Sequence, residues 1–372
     1  MKVVCGILLG VFLGLFSPGF ILGQDPAGKE FRPALPGWQY KFPADHGAHK
    51  AFKTEWWYYN GHLQDARGGA FGYQLTFFRV GLTREKPDPQ GSRWRATEVY
   101  LAHLAITDRE GKSFQFREKA GRGNLGLAGA DTGRYRVWID RWQVEERQGL
   151  QILTAGDRSL GVQLTLAPTA PPIIHGFQGI SRKGEGIGRA SHYYSMTRLR
   201  TKGQIRIQGK TREVAGLSWM DHEFGSNQLH PQQLGWDWFS LQLTEPLELM
   251  LYQLRREDGR TDPHSSGTLV LPDRHPRPLG LSDFSIRVFQ YWKSPNSGAR
   301  YPSGWEISLP EQQLFLQVRP WVADQELLTA KSTRITYWEG AVTVTGTWRG
   351  RPVQGSGYVE MTGYDRRFPP KI

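Results

Sequence analysis

Cysteine is all but missing from this 372-residue chain: its one example, Cys5, lies inside the N-terminal apolar run. The rest of the sequence therefore has no disulfide, no thiol nucleophile and no thiolate metal site. A lipoprotein-type Cys after that run is also missing. Helical apolar spacing sustained over a dozen residues is not found either, which leaves strands as the main element. There is no Gly-x-Ser-x-Gly elbow and no His-Glu-x-x-His, so ordinary serine-hydrolase and zinc-protease readings lack their usual supports. A hydrolase with a dispersed site stays open. The formal charge is +12, yet no run of five basic residues occurs. A solvated basic surface with some peripheral membrane contact fits this better than a nucleic-acid groove. Gly121-Arg-Gly-Asn-Leu-Gly126 matches a dinucleotide fingerprint by letter but opens no helical pattern, so it reads as a loop and no cofactor is expected.

What is abundant points to β structure. The chain holds 44 Gly and 23 Pro, and 14 Trp within an aromatic share of 12%; many short strands joined by turns use such a composition. Segments such as Phe71–Phe78, Leu150–Ala155, Gln204–Gln208, Asp237–Leu243, Leu247–Leu254 and Ala341–Trp348 alternate apolar and polar residues, the period of half-buried antiparallel strands. The expected fold is all-β. The polar stretch from Gly225 to Gly235 divides the chain, and the expected units are residues 24–228 and 229–372. Ahead of them, residues 1–23 have a short positive start, an apolar run, a Pro18-Gly19 break and a small residue at Gly23. That is the outline of a signal peptide, and it predicts export to the periplasm or the extracellular space. An uncleaved anchor over Val3 to Leu22 is the alternative.

Two segments place unusual side chains on shared strand faces. In Ser191-His-Tyr-Tyr-Ser195, His192 and Tyr194 are two apart; in Leu217-Ser-Trp-Met-Asp-His-Glu-Phe-Gly225, Trp219 and Asp221 are. If both faces look into one cavity, an imidazole, a phenol, an indole and a carboxyl group converge. A carboxyl group among aromatic rings is desolvated and keeps its proton to higher pH, as a general acid must. The plain alternative is that Asp221 caps a turn while the aromatics pack. Asp221, His222 and Glu223 cannot all face one ion on a regular strand, and His46 and His49 have no further ligand close in sequence, so no metal site is expected. A third segment runs from Glu55 to Gly61. Its alternation puts Glu55, Trp57 and Tyr59 on one face and Trp56 and Tyr58 on the other. Glu55 reads either as a buried ligand contact or as a partner for an indole N–H.

Together these segments resemble the carotenoid 1,2-hydratase-like (AttH-type) family of secreted lipocalin-like proteins, also described as predicted secreted hydrolases. Gly235-Trp-Asp-Trp-Phe-Ser, Tyr337-Trp-Glu-Gly-Ala-Val and Gly357-Tyr-Val-Glu-Met-Thr-Gly363 add to the likeness, which spans nearly all of the chain after residue 23. The resemblance implies two lipocalin-like antiparallel β-barrel domains around a hydrophobic small molecule, isoprenoid or lipid-like. It further implies cofactor-free hydration: an aspartate protonates a terminal double bond, and water captures the tertiary cation. Asp221 takes the place of that acid, with Trp219, His192 and Tyr194 as its neighbours. Glu55, Trp57, Tyr59, Trp236 and Trp238 are the expected ligand contacts. At Trp219 and Tyr194 the aromatic types depart from those of the hydratases. A non-catalytic lipid carrier or chaperone remains the first rival reading.

Overall fold

The computed structural model describes residues 30–365, except 86–89, 91, 93, 228, 229, 231 and 245. The expected signal segment, residues 1–23, lies outside the described residues, as do 228 and 229 at the expected domain boundary. Among the described residues there is no α-helix, and no helix long and apolar enough to cross a membrane.

Two antiparallel sheets make up the molecule. The first sheet begins with Thr54–Asp65 and ends with Lys210–Gly225. It curls into a barrel. Its edges approach each other closely: a Cβ added at Gly121 would lie 2.8 Å from that of Ala128. The second sheet starts at Gln233–Leu243, ends at Arg351–Thr362 and curls into a half-barrel. The architecture is that of two lipocalin-like barrels. Closing or curling a sheet removes or shields its edges, which explains why so many strands need no helices to cover them.

Three cores follow from strand alternation. Trp57, Tyr59, Leu75, Phe77, Leu104 and Leu164 fill the barrel. Phe239, Leu249, Trp305, Trp338 and Val359 fill the concave side of the second sheet. A third cluster, with Tyr58, Tyr193, Trp219, Trp238 and Tyr252, lies where the two sheets meet. Strand Thr54–Asp65 serves two of them at once, with Trp57 and Tyr59 inward and Tyr58 outward. This is why it reads as an unbroken aromatic run rather than an alternating strand. The sheets can approach because Gly72 has no side chain: a Cβ there would fall 2.6 Å from the Tyr358 hydroxyl.

One irregularity decides the site. The long strands Ala190–Ile207 and Lys210–Gly225 form a hairpin, and their register shifts between Met196 and Leu199. This β-bulge adds one residue to the first strand and turns its side chains over.

Candidate active site

The two strands of this hairpin and the strand Thr54–Asp65 form one wall of a cavity of about 320 Å³ between the sheets. The second sheet supplies the other wall with Trp236, Trp238, Tyr252, Tyr337, Glu339 and Glu360. The lining from the first sheet includes Trp56, Tyr58, Phe78, Tyr193, Asp221 and Glu223.

Asp221 sits opposite Ser195, and Glu223 opposite Tyr193, so these four share a face. Asp221 is 3% exposed. Its Oδ1 accepts the Ser195 hydroxyl and, at 2.5 Å, the Trp219 indole N–H. Its Oδ2 accepts the Tyr193 hydroxyl at 2.6 Å. The Tyr193 oxygen in turn accepts Trp238 Nε1–H at 3.1 Å. Burial pushes the Asp221 carboxyl up to about 7, against the opposing pull of Ser195, Tyr193 and Trp219. The group therefore exists in both protonation states near neutral pH, as a general acid requires. Two donors already occupy Oδ1, so the proton belongs on Oδ2, which lies beside the Tyr193 hydroxyl.

Behind Ser195 stands His175, with Nε2 2.6 Å from Ser195 Oγ and Nδ1 2.8 Å from Thr268 Oγ1. Ser195 has one proton and gives it to Asp221, so His175 donates from Nε2 and accepts the Thr268 proton at Nδ1. Burial holds this imidazole down at about 3, hence neutral. Serine, histidine and aspartate meet here, but serine is in the middle. Its hydroxyl points at the carboxylate rather than at a base, and Ser195 is fully buried, so this is a positioning chain and not a hydrolase triad. Nearby, Lys183 pairs with Glu223 at 3.4 Å and sits 3.7 Å from the Tyr252 ring centroid.

The structure separates the four residues that were expected together. Trp219 and Asp221 share a hydrogen bond, whereas His192 and Tyr194 project from the opposite face of their strand. Carried regularly from its turn, where Ile207 pairs with Lys210, the ladder would set Met196 opposite Asp221 and bring Tyr194 and His192 to that side. The bulge sets Ser195 there instead. His192 packs between Trp38, 4.9 Å away, and Phe224, 5.0 Å away, with Nδ1 3.2 Å from the Gly179 carbonyl. The Tyr194 hydroxyl lies 2.6 Å from His46 Nδ1 and 2.9 Å from His222 Nδ1.

The expected ligand contacts divide in the same way. Trp236 and Trp238 line the cavity. Trp57 and Tyr59 belong to the barrel core: Trp57 donates to the His46 carbonyl at 3.0 Å, and the Tyr59 hydroxyl reaches Gln151 at 2.9 Å. Their neighbours Trp56 and Tyr58 face the cavity instead, because the strand meets the second sheet with its other side. Glu55 borders the cavity but is the hub of an ionic network. It binds Arg79 Nε at 2.9 Å, His49 Nδ1 at 2.8 Å and His222 Nε2 at 2.9 Å. Burial opposes its ionisation, yet Arg79, His222 and His49 hold it well below the usual carboxylate range.

His49, Glu55 and His222 offer ligand atoms within 4.8 Å of one another, a geometry that can hold a cation. The same atoms, however, are already engaged with each other and with Arg79. His49 was read as a histidine without partners in sequence; the fold supplies them from 6 and 173 positions away. Tyr193, Ser195, Glu339 and Glu360 stand in the motifs without being singled out as site residues, and His175 lies outside them. Only the bulge and the sheet-to-sheet docking bring them to Asp221, and neither has a local signature.

Comparison with known proteins gives a consistent result. A model of the AttH-like family matches residues 33–364. The crystal structure of an AttH-type protein from Nitrosomonas europaea matches with a TM-score of 0.82 and 33% identity, covering 90% of this chain and 100% of that one. Kievitone hydratase from Nectria haematococca matches with a TM-score of 0.68 over 91% of this chain and 97% of that one, at 13% identity, a likeness of fold alone. By sequence, the chain is 23% identical over 214 residues to kievitone hydratase of Fusarium solani subsp. phaseoli, a stretch covering 56% of this chain and 58% of that protein's length.

Proposed function

This chain belongs to the AttH-like family, and on that premise we propose that it binds a hydrophobic, isoprenoid or lipid-like molecule between its sheets and hydrates it by cofactor-free acid–base chemistry. The observation that carries this reading is Asp221: a carboxyl group at the wall of an aromatic cavity, fixed by three donors and, among the described residues, in no ion pair. In the reaction, Asp221 Oδ2 gives its proton to the CH carbon of a trisubstituted terminal double bond. The positive charge then rests on the adjacent tertiary carbon, facing the rings that line the cavity. Water adds to that carbon and returns a proton to the Asp221 carboxylate, so the sum is alkene plus water to tertiary alcohol. A hydratase of known substrate name among the relatives, kievitone hydratase, supports the same class of reaction.

The test uses a phenol bearing a dimethylallyl chain, with water addition followed by mass spectrometry. Asp221→Asn keeps the shape and the two hydrogen bonds accepted at Oδ1 but has no transferable proton, so turnover falls by roughly 10²–10⁴-fold while binding changes little. Equal rates for wild type and Asp221→Asn overturn the mechanism. Binding without turnover in the wild type favours the carrier reading. Export belongs to the same proposal: sequencing of the mature protein is expected to begin near Gln24, and an intact Met1 in a membrane fraction rejects it.

A further inference from the structure

The second wall of the cavity contains a feature that the reaction above does not use. Glu339 and Glu360 stand directly opposite each other on paired strands, and Glu360 stands opposite Trp238 on the next. Like charges directly opposed on a sheet are unfavourable, and here one is buried and the other half-buried: Glu339 is 1% exposed, and Glu360 lies at the cavity wall. Glu360 accepts the Trp236 indole N–H at 3.2 Å. Among the described residues Glu339 Oε1 has no partner in good hydrogen-bond geometry, and neither has the Tyr58 hydroxyl, which faces this carboxyl group and only partly offsets its rise; a buried acceptor left open costs about 1–3 kcal/mol. Of the cations that line the cavity, Lys183 pairs with Glu223 and Arg79 with Glu55, while Lys53 is exposed; none of the three is in an ion pair with Glu339 or Glu360. Burial, then repulsion from Glu360, pushes Glu339 well above the usual carboxylate range, and burial lifts Glu360 to about 7. A positive charge placed between the two carboxyl groups would oppose both effects. Around it stand ring systems: Trp236, Trp238 and Tyr58, the last two edge-on at 5.2 Å. Aromatic faces with buried carboxylates behind them suit an organic cation that water holds weakly.

We propose that Glu339 and Glu360 form a cation site in the cavity, which takes a bulky, weakly hydrated organic cation: an ammonium head on the ligand, or the tertiary carbocation of the hydration proposed above. The second source rests on that reading and the first does not.

The probe is octyltrimethylammonium, whose charge is permanent, compared with its uncharged carbon isostere 2,2-dimethyldecane. Binding is read from quenching of the cavity tryptophans in the Asp221→Asn protein, where no hydration occurs. The ammonium is expected to bind about tenfold more tightly than the isostere. The Glu339→Gln/Glu360→Gln double variant is expected to lose that preference while keeping its affinity for the hydrocarbon, with unchanged far-ultraviolet circular dichroism. Equal binding of the two probes, or a preference that survives the double substitution, overturns the site. Absence of hydration by the wild type leaves this binding result intact, so the two proposals fail separately. With Asp221 restored, a more than tenfold loss of turnover on removing both carboxyls assigns the site to the carbocation. Unchanged turnover with lost ammonium preference assigns it to a ligand head group.

Discussion

The two faces of the hairpin Ala190–Ile207 and Lys210–Gly225 bury charge in opposite ways. On the face toward the barrel, Glu55 is met by Arg79, His49 and His222, and burial there is balanced. His49 is raised in spite of burial by Asp45 and Glu55, between which its imidazole bridges, whereas burial lowers His222. On the face toward the second sheet, Glu223 is met by Lys183, but Asp221 and Glu339, both buried, and Glu360, half-buried, are in no ion pair among the described residues. A matched buried charge stabilises position; an unmatched one keeps a proton or awaits a partner. The contrast separates scaffold from chemistry more sharply than burial alone, since each side holds both buried and half-buried groups.

The strongest way to break the contrast is to unmatch the balanced face. Arg79→Met leaves the Glu55 carboxylate without its guanidinium and is expected to lower stability by about 3–5 kcal/mol, read as a lower denaturant midpoint. The Arg79→Met/Glu55→Gln pair should recover much of that loss. If Arg79→Met alone is neutral, the balance described here is not what holds this face.

The unmatched face should respond in the opposite direction. Asp221 has a folded-state pKa of about 7 against an ordinary 3.8, so the unfolded chain ionises first as pH rises. The resulting destabilisation is absent below about pH 4 and complete above about pH 7. Asp221→Asn should therefore stabilise the protein by an amount that grows across that window to on the order of 4 kcal/mol. Denaturant titrations of both proteins at pH 4, 5.5 and 7 check this, and a gain independent of pH would count against it.

A third comparison uses adjacent tryptophans. Trp57→Leu removes a ring from the barrel core and should cost about 2–4 kcal/mol in stability. Trp56→Leu, on the cavity side, should cost less than half of that and act mainly on ligand affinity. The smallest effect is expected from His192→Leu, which should change turnover by less than about threefold, because its imidazole is on the barrel side. A loss comparable with Asp221→Asn would return His192 to the acid's side.

Much of this was legible in the residues. Alternating segments gave the β class, and the two-residue spacing of Trp219 and Asp221 gave a contact that the structure contains. The rest depended on phase. From Glu55 to Gly61, both faces of one strand are aromatic, so the side that meets a ligand is chosen by the second sheet, which is 180 residues away at the Asn60–Ser240 contact. His192 and Tyr194 were assigned by counting twos along a strand, and such counting is valid only while the ladder is regular. Thr197-Arg198 looks like any pair in a strand. Glu339 and Glu360 were visible as members of motifs, but their opposition across a ladder is a property of pairing, not of either segment.

The bulge at residues 196–199 is also a point of slack. Beyond it toward the turn, Leu199, Ile205 and Ile207 pack in the barrel core; on its other side, Tyr193 and Ser195 face Glu223 and Asp221 while Tyr194 and Met196 still face the barrel. Two residues there do the work of one, so the hairpin can lose a residue at that point and still present Tyr193 and Ser195 to Glu223 and Asp221. The two lengths are thereby uncoupled, like two gears with a clutch between them. Turn and barrel can drift in length over generations while the groups around the acid stay aimed, and the cavity can be refitted without retiming the barrel.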